Sequence, residues 1–290
     1  MRSIQPDRPS AARARLNSPV TRRAALGGLG LGGLSLALAA CSGGDGSTSS
    51  SAVQGDELEK IRAAGEIRIG MEGTFQPYGY HDSTGELVGF EKEIADLVAA
   101  DLGVKPVYVE TQWDSLIAGV DVGRYDIVIN NIAPTDARRE VFDFSIPYAI
   151  SEGKVGVSGD SPLQSVDEIP DHSAAQTETS NFGQEMAKAG ANLVPVTGFD
   201  EAIMLVSFDR VDMTGNDYVT FEAFFQQRPD VDIRLLDGTL GDPAESAILM
   251  AKGQDSLKAA IDESLRTHMD NGDLARIYQK YVSLDLTPES

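Results

Sequence analysis

The chain has 290 residues, with 24 Lys and Arg against 45 Asp and Glu and a net charge of −21. So acidic a balance argues against a protein that grips a nucleic-acid backbone or lies on an anionic lipid surface. Its one cysteine, Cys41, excludes an internal disulfide and a thiolate metal cluster, and His81, His172 and His268 are too scattered to suggest a metal pair.

Residues 21–41 come first in chain order and say most about destination. Arg22 and Arg23 precede an uncharged run rich in Leu, Gly and Ala, which ends in Leu38-Ala39-Ala40-Cys41. That is a basic region, a short apolar region and a small-residue cleavage site. The run from Ala24 to Ala40 is 17 residues and glycine-rich, short of the roughly 20 apolar residues that span a bilayer. The ending resembles the lipobox of bacterial lipoproteins, in which the cysteine thiol takes a diacylglycerol and becomes the new N-terminus. Thr21-Arg22-Arg23 also resembles a twin-arginine export signal. Residues 1–40 are therefore expected to be an export signal and Cys41 a lipidation site. Gly28-Leu-Gly-Leu-Gly-Gly33 matches G-x-G-x-x-G but falls inside this signal, so it is not read as a nucleotide loop. Loss of six Arg and one Asp with the signal would take the net charge to −26. Residues 41–55, Ser/Gly-rich after the cysteine, read as a flexible tether about 20 Å long.

The body then alternates. Residues 66–71 read as a strand, and 90–102 as a helix with Phe90, Ile94, Leu97, Val98 and Leu102 on one face and Gly103 as its stop. Strand patterns follow at 105–109 and 126–130, with a helix at 113–121 between them. This is β-α-β-α-β, which predicts a parallel sheet with right-handed crossovers. A looser copy follows, with strands at 154–157, 193–196, 211–214, 233–236 and 247–250 and helices at 182–188, 202–208 and 218–227. Residues 173–176 are poor strand material by composition. Helices at about 254–271 and 273–282 close the chain. Two α/β units of similar size read as two lobes.

Ligands of open parallel sheets sit beyond the carboxyl ends of the strands. The residues there are Glu72 to Phe75, Glu110 to Trp113, then Asn131, Ala133, Thr135 and Arg138. In the second unit they are Thr179-Ser180-Asn181 and Asn216-Asp217. One arginine, acids, two large aromatics and short polar groups suit a small zwitterion better than a reaction. Arg138 offers a planar fork for a carboxylate, and Thr135 adds a hydroxyl. Asp217 can pair with an ammonium, or can simply cap the helix it begins. Phe75 and Trp113 can flank the ligand or belong to the core.

At these residues the chain resembles the polar amino-acid (family 3) solute-binding proteins of ABC importers, from about Leu58 to Leu284. Three stretches carry the likeness: Gly65 to Tyr78 with Gly85-Glu-Leu-Val-Gly-Phe90; Thr111 to Leu116 with Asp126 to Asn130; and Thr135-Asp-Ala-Arg-Arg-Glu-Val-Phe-Asp-Phe-Ser-Ile-Pro-Tyr148, the most specific. The resemblance implies an α/β two-lobe fold of the type II periplasmic-binding-protein kind, each lobe a mainly parallel sheet flanked by helices, with two crossover strands as hinge. Lobe 1 is expected at 56–150 plus 246–290 and lobe 2 at 151–245, hinged near Tyr148–Gly153 and Asp242–Ser246. It implies a site in which Arg138 grips the ligand α-carboxylate beside Thr135 and Ala133. The Asn131 carbonyl and Asp217 take the α-ammonium, Phe75, Trp113 and Glu72 surround the side chain, and Ser180 and Asn181 cap the carboxylate. Ser173 to Ser180 replaces a glycine-rich strand of the family, with Glu178 near the docking point. The segments around Trp113 and Asn131 are most similar to the cystine-type branch.

The function expected is capture of a polar amino acid, with delivery to the membrane subunits of an importer by a lipid-anchored monomer outside the cytoplasmic membrane. No cofactor, metal or nucleic acid is called for. A sensor subunit binding the same ligand is an alternative, and a cyclohexadienyl-type dehydratase, with Glu72 or Glu178 as acid, is a more distant one.

Overall fold

The structure is a computed structural model that describes residues 56–288. The export segment, Cys41 and the tether lie outside them. In chain order the elements are α1 (Glu57–Ala64), β1 (Glu66–Met71), β2 (Thr74–Phe75), β3 (Gly79–His81), β4 (Leu87–Val88), α2 (Phe90–Leu102), β5 (Lys105–Glu110), α3 (Trp113–Leu116), α4 (Ala118–Asp121), β6 (Ile127–Val128), α5 (Asp136–Val141), β7 (Phe142–Ser151), β8 (Gly153–Ser158), β9 (Ser173–Gln176), α6 (Asn181–Lys188), β10 (Asn192–Pro195), α7 (Phe199–Ser207), β11 (Met213–Asp217), α8 (Tyr218–Gln227), β12 (Ile233–Leu235), β13 (Ala244–Ala251), α9 (Asp255–Asp270) and α10 (Asp273–Tyr281).

Two five-stranded sheets organise two lobes, in the orders β5-β1-β6-β13-β7 and β10-β9-β11-β8-β12. In the first, β5, β1 and β6 run parallel, while β13 runs antiparallel to both β6 and β7. In the second, β10, β9 and β11 run parallel, while β8 is antiparallel to β11 and β12. The sheets are thus mixed, and the antiparallel part has a cause. The chain leaves the first lobe along β7 and returns along β13, and these two strands pair from Ala244↔Ser151 to Ala251↔Phe142. The order within each lobe places the ends of β1, β5 and β6, and of β9, β10 and β11, toward one seam.

Alternation along the strands covers both faces of each sheet. In lobe 1, Ile67, Ile69, Ile127 and Met250 pack with α2, α9 and α10 on one side, and Val128, Leu249, Trp113 and Tyr125 on the other. In lobe 2, Val155, Met213 and Ala174 face one cluster and Ala175, Phe221 and Ile233 the opposite one.

Several expected elements differ in detail. The helix expected at 113–121 is two short turns, and the strand expected at 126–130 ladders only at Ile127–Val128. Residues 173–176 do form a strand. They are flanked by β10 and β11, and Ala174 and Ala175 are fully buried, so their small side chains admit close helix packing where composition alone argued otherwise. The small β2-β3-β4 sheet and α1 were not anticipated. Asp56 caps α1 by accepting from the Leu58 N–H at 3.1 Å, and Gly65 closes it in the left-handed region. No helix among the described residues is long and apolar enough to cross a membrane.

Candidate functional site

A cleft of about 300 Å³ lies between the lobes, lined from lobe 1 by Glu72, Thr74, Phe75, Gln112, Trp113 and Asn131. Lobe 2 contributes Gln176, Ser180, Asn181, Phe199, Asp200 and Asn216, among others. The volume is in the range of small-molecule sites. Of the residues the sequence pointed to, Glu72, Phe75, Trp113, Asn131, Ser180 and Asn181 meet here, while Ala133, Thr135, Arg138 and Asp217 do not line the cleft.

Glu72 follows β1, where Gly73 at φ 71° turns the chain away. Its N–H donates to Asn130 Oδ1 and Asn130 Nδ2 donates back to Glu72 Oε2, both at 2.8 Å, so the ends of β1 and β6 fix each other. Burial holds its carboxyl above the usual carboxylate range, against the Asn130 hydrogen bond. Ser180 is the N-cap of α6, accepting from the Gly183 N–H at 2.9 Å and donating to the Thr177 carbonyl at 2.8 Å. This points the N-terminus of an eight-residue helix, with its partial positive charge, at the cleft. Glu178 is exposed and does not line the cleft.

Arg138 is 9% exposed, on α5. Its Nη1 donates to the Ala133 carbonyl at 2.9 Å, and its Nη2 crosses the seam to the Thr179 carbonyl at 3.0 Å. The guanidinium lies 5.6 Å from the Trp113 ring centroid, a cation–π distance. Trp113 Nε1 itself donates to Thr179 Oγ1 at 2.9 Å. Among the described residues no carboxylate pairs with Arg138, and burial alone pulls its pKa down to about 10. The expected roles of its neighbours need correction. Thr135 is the N-cap of α5, its hydroxyl oxygen turned to the Arg138 N–H at 3.4 Å, and Ala133 serves Arg138 through its carbonyl.

Asp217 also differs from expectation. It is 1% exposed and caps α8, the plainer of its two readings. Four donors take its oxygens: Tyr78 OH at 2.6 Å, Asn131 Nδ2 at 2.8 Å, the Thr220 N–H at 2.9 Å and Thr220 Oγ1 at 2.8 Å. Tyr78 and Asn131 belong to lobe 1, so this carboxylate is a latch between lobes and has no face left for an ammonium. Asn131, at φ 49°, holds the latch from behind: its N–H donates to Glu91 Oε1 at 2.6 Å, and its Oδ1 accepts from Ser246 on the returning strand at 2.6 Å. Glu91 is fully buried, accepts also from Tyr148 on β7, and keeps Oε2 unpaired; burial raises its pKa to about 8.

Gln176, Phe199 and Asp200 were missed. The last two follow β10, a four-residue strand with exposed ends whose weak pattern does not mark its carboxyl end as a binding edge. Gln176 was hidden in the segment read as poor strand.

A two-lobed α/β fold with a cleft between the strand ends defines a class of binding proteins. Residues 67–284 match the family described as bacterial extracellular solute-binding proteins, family 3, and the chain belongs to that family. Among its relatives, an L-cystine-binding protein of Bacillus subtilis strain 168 is 32% identical over 254 residues, covering 87% of this chain and 94% of the relative. An ancestral arginine-binding protein bound to arginine superposes with a TM-score of 0.70 at 28% identity, over 75% of this chain and 98% of that one. The L-cystine solute receptor of Neisseria gonorrhoeae, in its unliganded open conformation, is 32% identical over 81% of this chain and all of that one, yet superposes at 0.58.

Proposed function

We propose that this protein captures a polar amino acid, cystine among the candidates, in the cleft and delivers it to the membrane subunits of an ABC importer. Arg138 stands just behind the cleft wall, its Nη2 on the Thr179 carbonyl next to Ser180; it exchanges that carbonyl for the ligand α-carboxylate, with the N-terminus of α6 at Ser180 and Asn181 beside it. The Asn131 carbonyl takes the α-ammonium. Phe75 and Trp113 flank the body of the ligand and Glu72 faces its far end. The lobes hinge about the paired β7 and β13 strands and the Asp217 latch holds them together. Cys41 carries a lipid that, through the tether, keeps a monomer anchored outside the cytoplasmic membrane, at the cell surface or in the periplasm. The protein performs no chemistry on what it binds.

The observation that carries this reading is Arg138: a guanidinium buried at the seam with only carbonyl acceptors. A buried cation without an anion is costly, and a carboxylate entering the cleft offsets that cost. Relatives whose names say cystine and arginine support the ligand class. Calorimetric titration of the folded protein against the twenty amino acids and cystine tests it. Binding of at least one at micromolar affinity or better is expected, and silence across the panel overturns the reading.

A further inference from the structure

Asp200 and Glu201 are neighbours in the first turn of α7 but are used differently. Glu201 Oε2 accepts from both the N–H and the hydroxyl of Thr197, each at 2.9 Å. It is consumed in fixing the turn that enters the helix. Asp200 makes no side-chain hydrogen bond or ion pair among the described residues; its carboxyl feels only the partial cover of the cleft wall, which raises it. Both acids line the cleft together with Glu72, and no Lys, Arg or His does. Glu72 and Asp200 come from opposite lobes, and the Asp200 charge is one of the influences that disfavour ionised Glu72. Thr74, Phe75, Phe199 and Asp200 also form part of the wall of a second interlobe cavity of about 510 Å³, whose lining, unlike that of the cleft, includes His81 and Arg228. Asp200 therefore stands on the boundary of the two spaces, and Arg138 lines neither.

We propose that Asp200 is a specificity-determining residue: from lobe 2, opposite Glu72, it holds a second positive group carried by the ligand at the end remote from its α-carboxylate. This rests on the reading of the cleft as an amino-acid site and narrows the ligand to amino acids with two cationic groups. Two carboxylates on opposite lobes repel each other when the lobes meet. A cation placed between them turns that opposition into attraction from both sides, so closure rewards a dicationic ligand and penalises a neutral one. Glu72 alone would attract a cation to lobe 1 without linking it to lobe 2.

The test is calorimetry on the purified full chain with L-arginine and L-citrulline, a pair matched in length that differs in the distal charge, and with L-cystine. The wild-type protein is expected to bind arginine or cystine at least about tenfold tighter than citrulline. In Asp200→Asn, and independently in Asp200→Ser, that preference should shrink to within about threefold, the loss falling on the cationic ligand. Thermal melts followed by circular dichroism establish that each variant is folded. Citrulline bound by the wild type as tightly as arginine and cystine, or a preference untouched in both Asp200 variants, overturns the assignment. Failure of the wild type to bind any amino acid instead overturns the reading of the cleft on which it rests.

Discussion

Two buried charges sit at the same seam and have opposite fates. Arg138, on the lobe 1 side, is surrounded by carbonyls and an aromatic face and meets no carboxylate among the described residues. Asp217, on the lobe 2 side, is buried more deeply still but has four donors for its two oxygens. One is electrostatically open and the other is closed. Burial of a charged group therefore does not by itself mark a ligand contact. What marks it is the balance of partners: a satisfied buried charge is part of the scaffold, and an unsatisfied one is where a ligand of opposite sign is worth most.

The largest effect expected follows from the open member. Arg138→Ala should weaken amino-acid binding by roughly 2–5 kcal/mol, on the order of 30- to 4,000-fold in Kd. It should leave the melting temperature unchanged or slightly higher, since a buried unpaired cation has gone. Asp217→Ala should do the reverse. It removes a helix cap and strands the Tyr78, Asn131 and Thr220 donors, so a stability loss of roughly 2–4 kcal/mol is expected in thermal or urea unfolding. If Asp217→Ala abolished binding with an unaltered melt while Arg138→Ala did not, the assignment of open and closed charges would be inverted.

The latch also carries a pH signature. Glu91, behind Asn131, has its pKa raised to about 8 from an ordinary 4.5, chiefly by burial. The folded protein thus holds this proton where the unfolded chain has lost it, so the stabilisation is complete below about pH 4.5 and is lost as pH rises toward 8. Glu91→Gln should flatten this segment: the variant's melting temperature relative to wild type should be higher at pH 8 than at pH 5. An equal difference at both values would mean that Glu91 is ionised in the fold. The smallest effect expected is at Trp113→Phe. That change keeps a ring beside Arg138 and deletes only the indole N–H bond to Thr179, so about 0.5–1.5 kcal/mol, a few-fold in Kd, should be lost.

The same contrast explains what was legible in the sequence. Thr135 to Tyr148 is a local pattern, and its Thr-x-x-Arg spacing is the spacing of an N-cap and the residue it receives, so Arg138 could be singled out from one stretch of chain. The fate of Asp217 could not. Its local partner Thr220, three residues on, was readable as a cap, but Tyr78 lies 139 residues away and Asn131 86. No periodicity reports such pairings. Asp200 escaped notice for another reason: β10 has only four residues with two exposed ends, so its carboxyl end did not stand out. The sheets were expected to be mainly parallel because the β-α-β rhythm implies it. The antiparallel pairing of β7 with β13 depends on where the chain crosses and returns, which local pattern does not encode.

The proposed capture of an amino acid turns on the guanidinium of Arg138 receiving the ligand's α-carboxylate. The direct measurement is calorimetric comparison of whichever amino acid binds most tightly with its own α-carboxamide, in the wild type and in Arg138→Ala. The carboxamide should bind the wild type at least about thirtyfold more weakly, and the two forms should become nearly equivalent in the variant. Equal affinity of the two forms for the wild-type protein would contradict it.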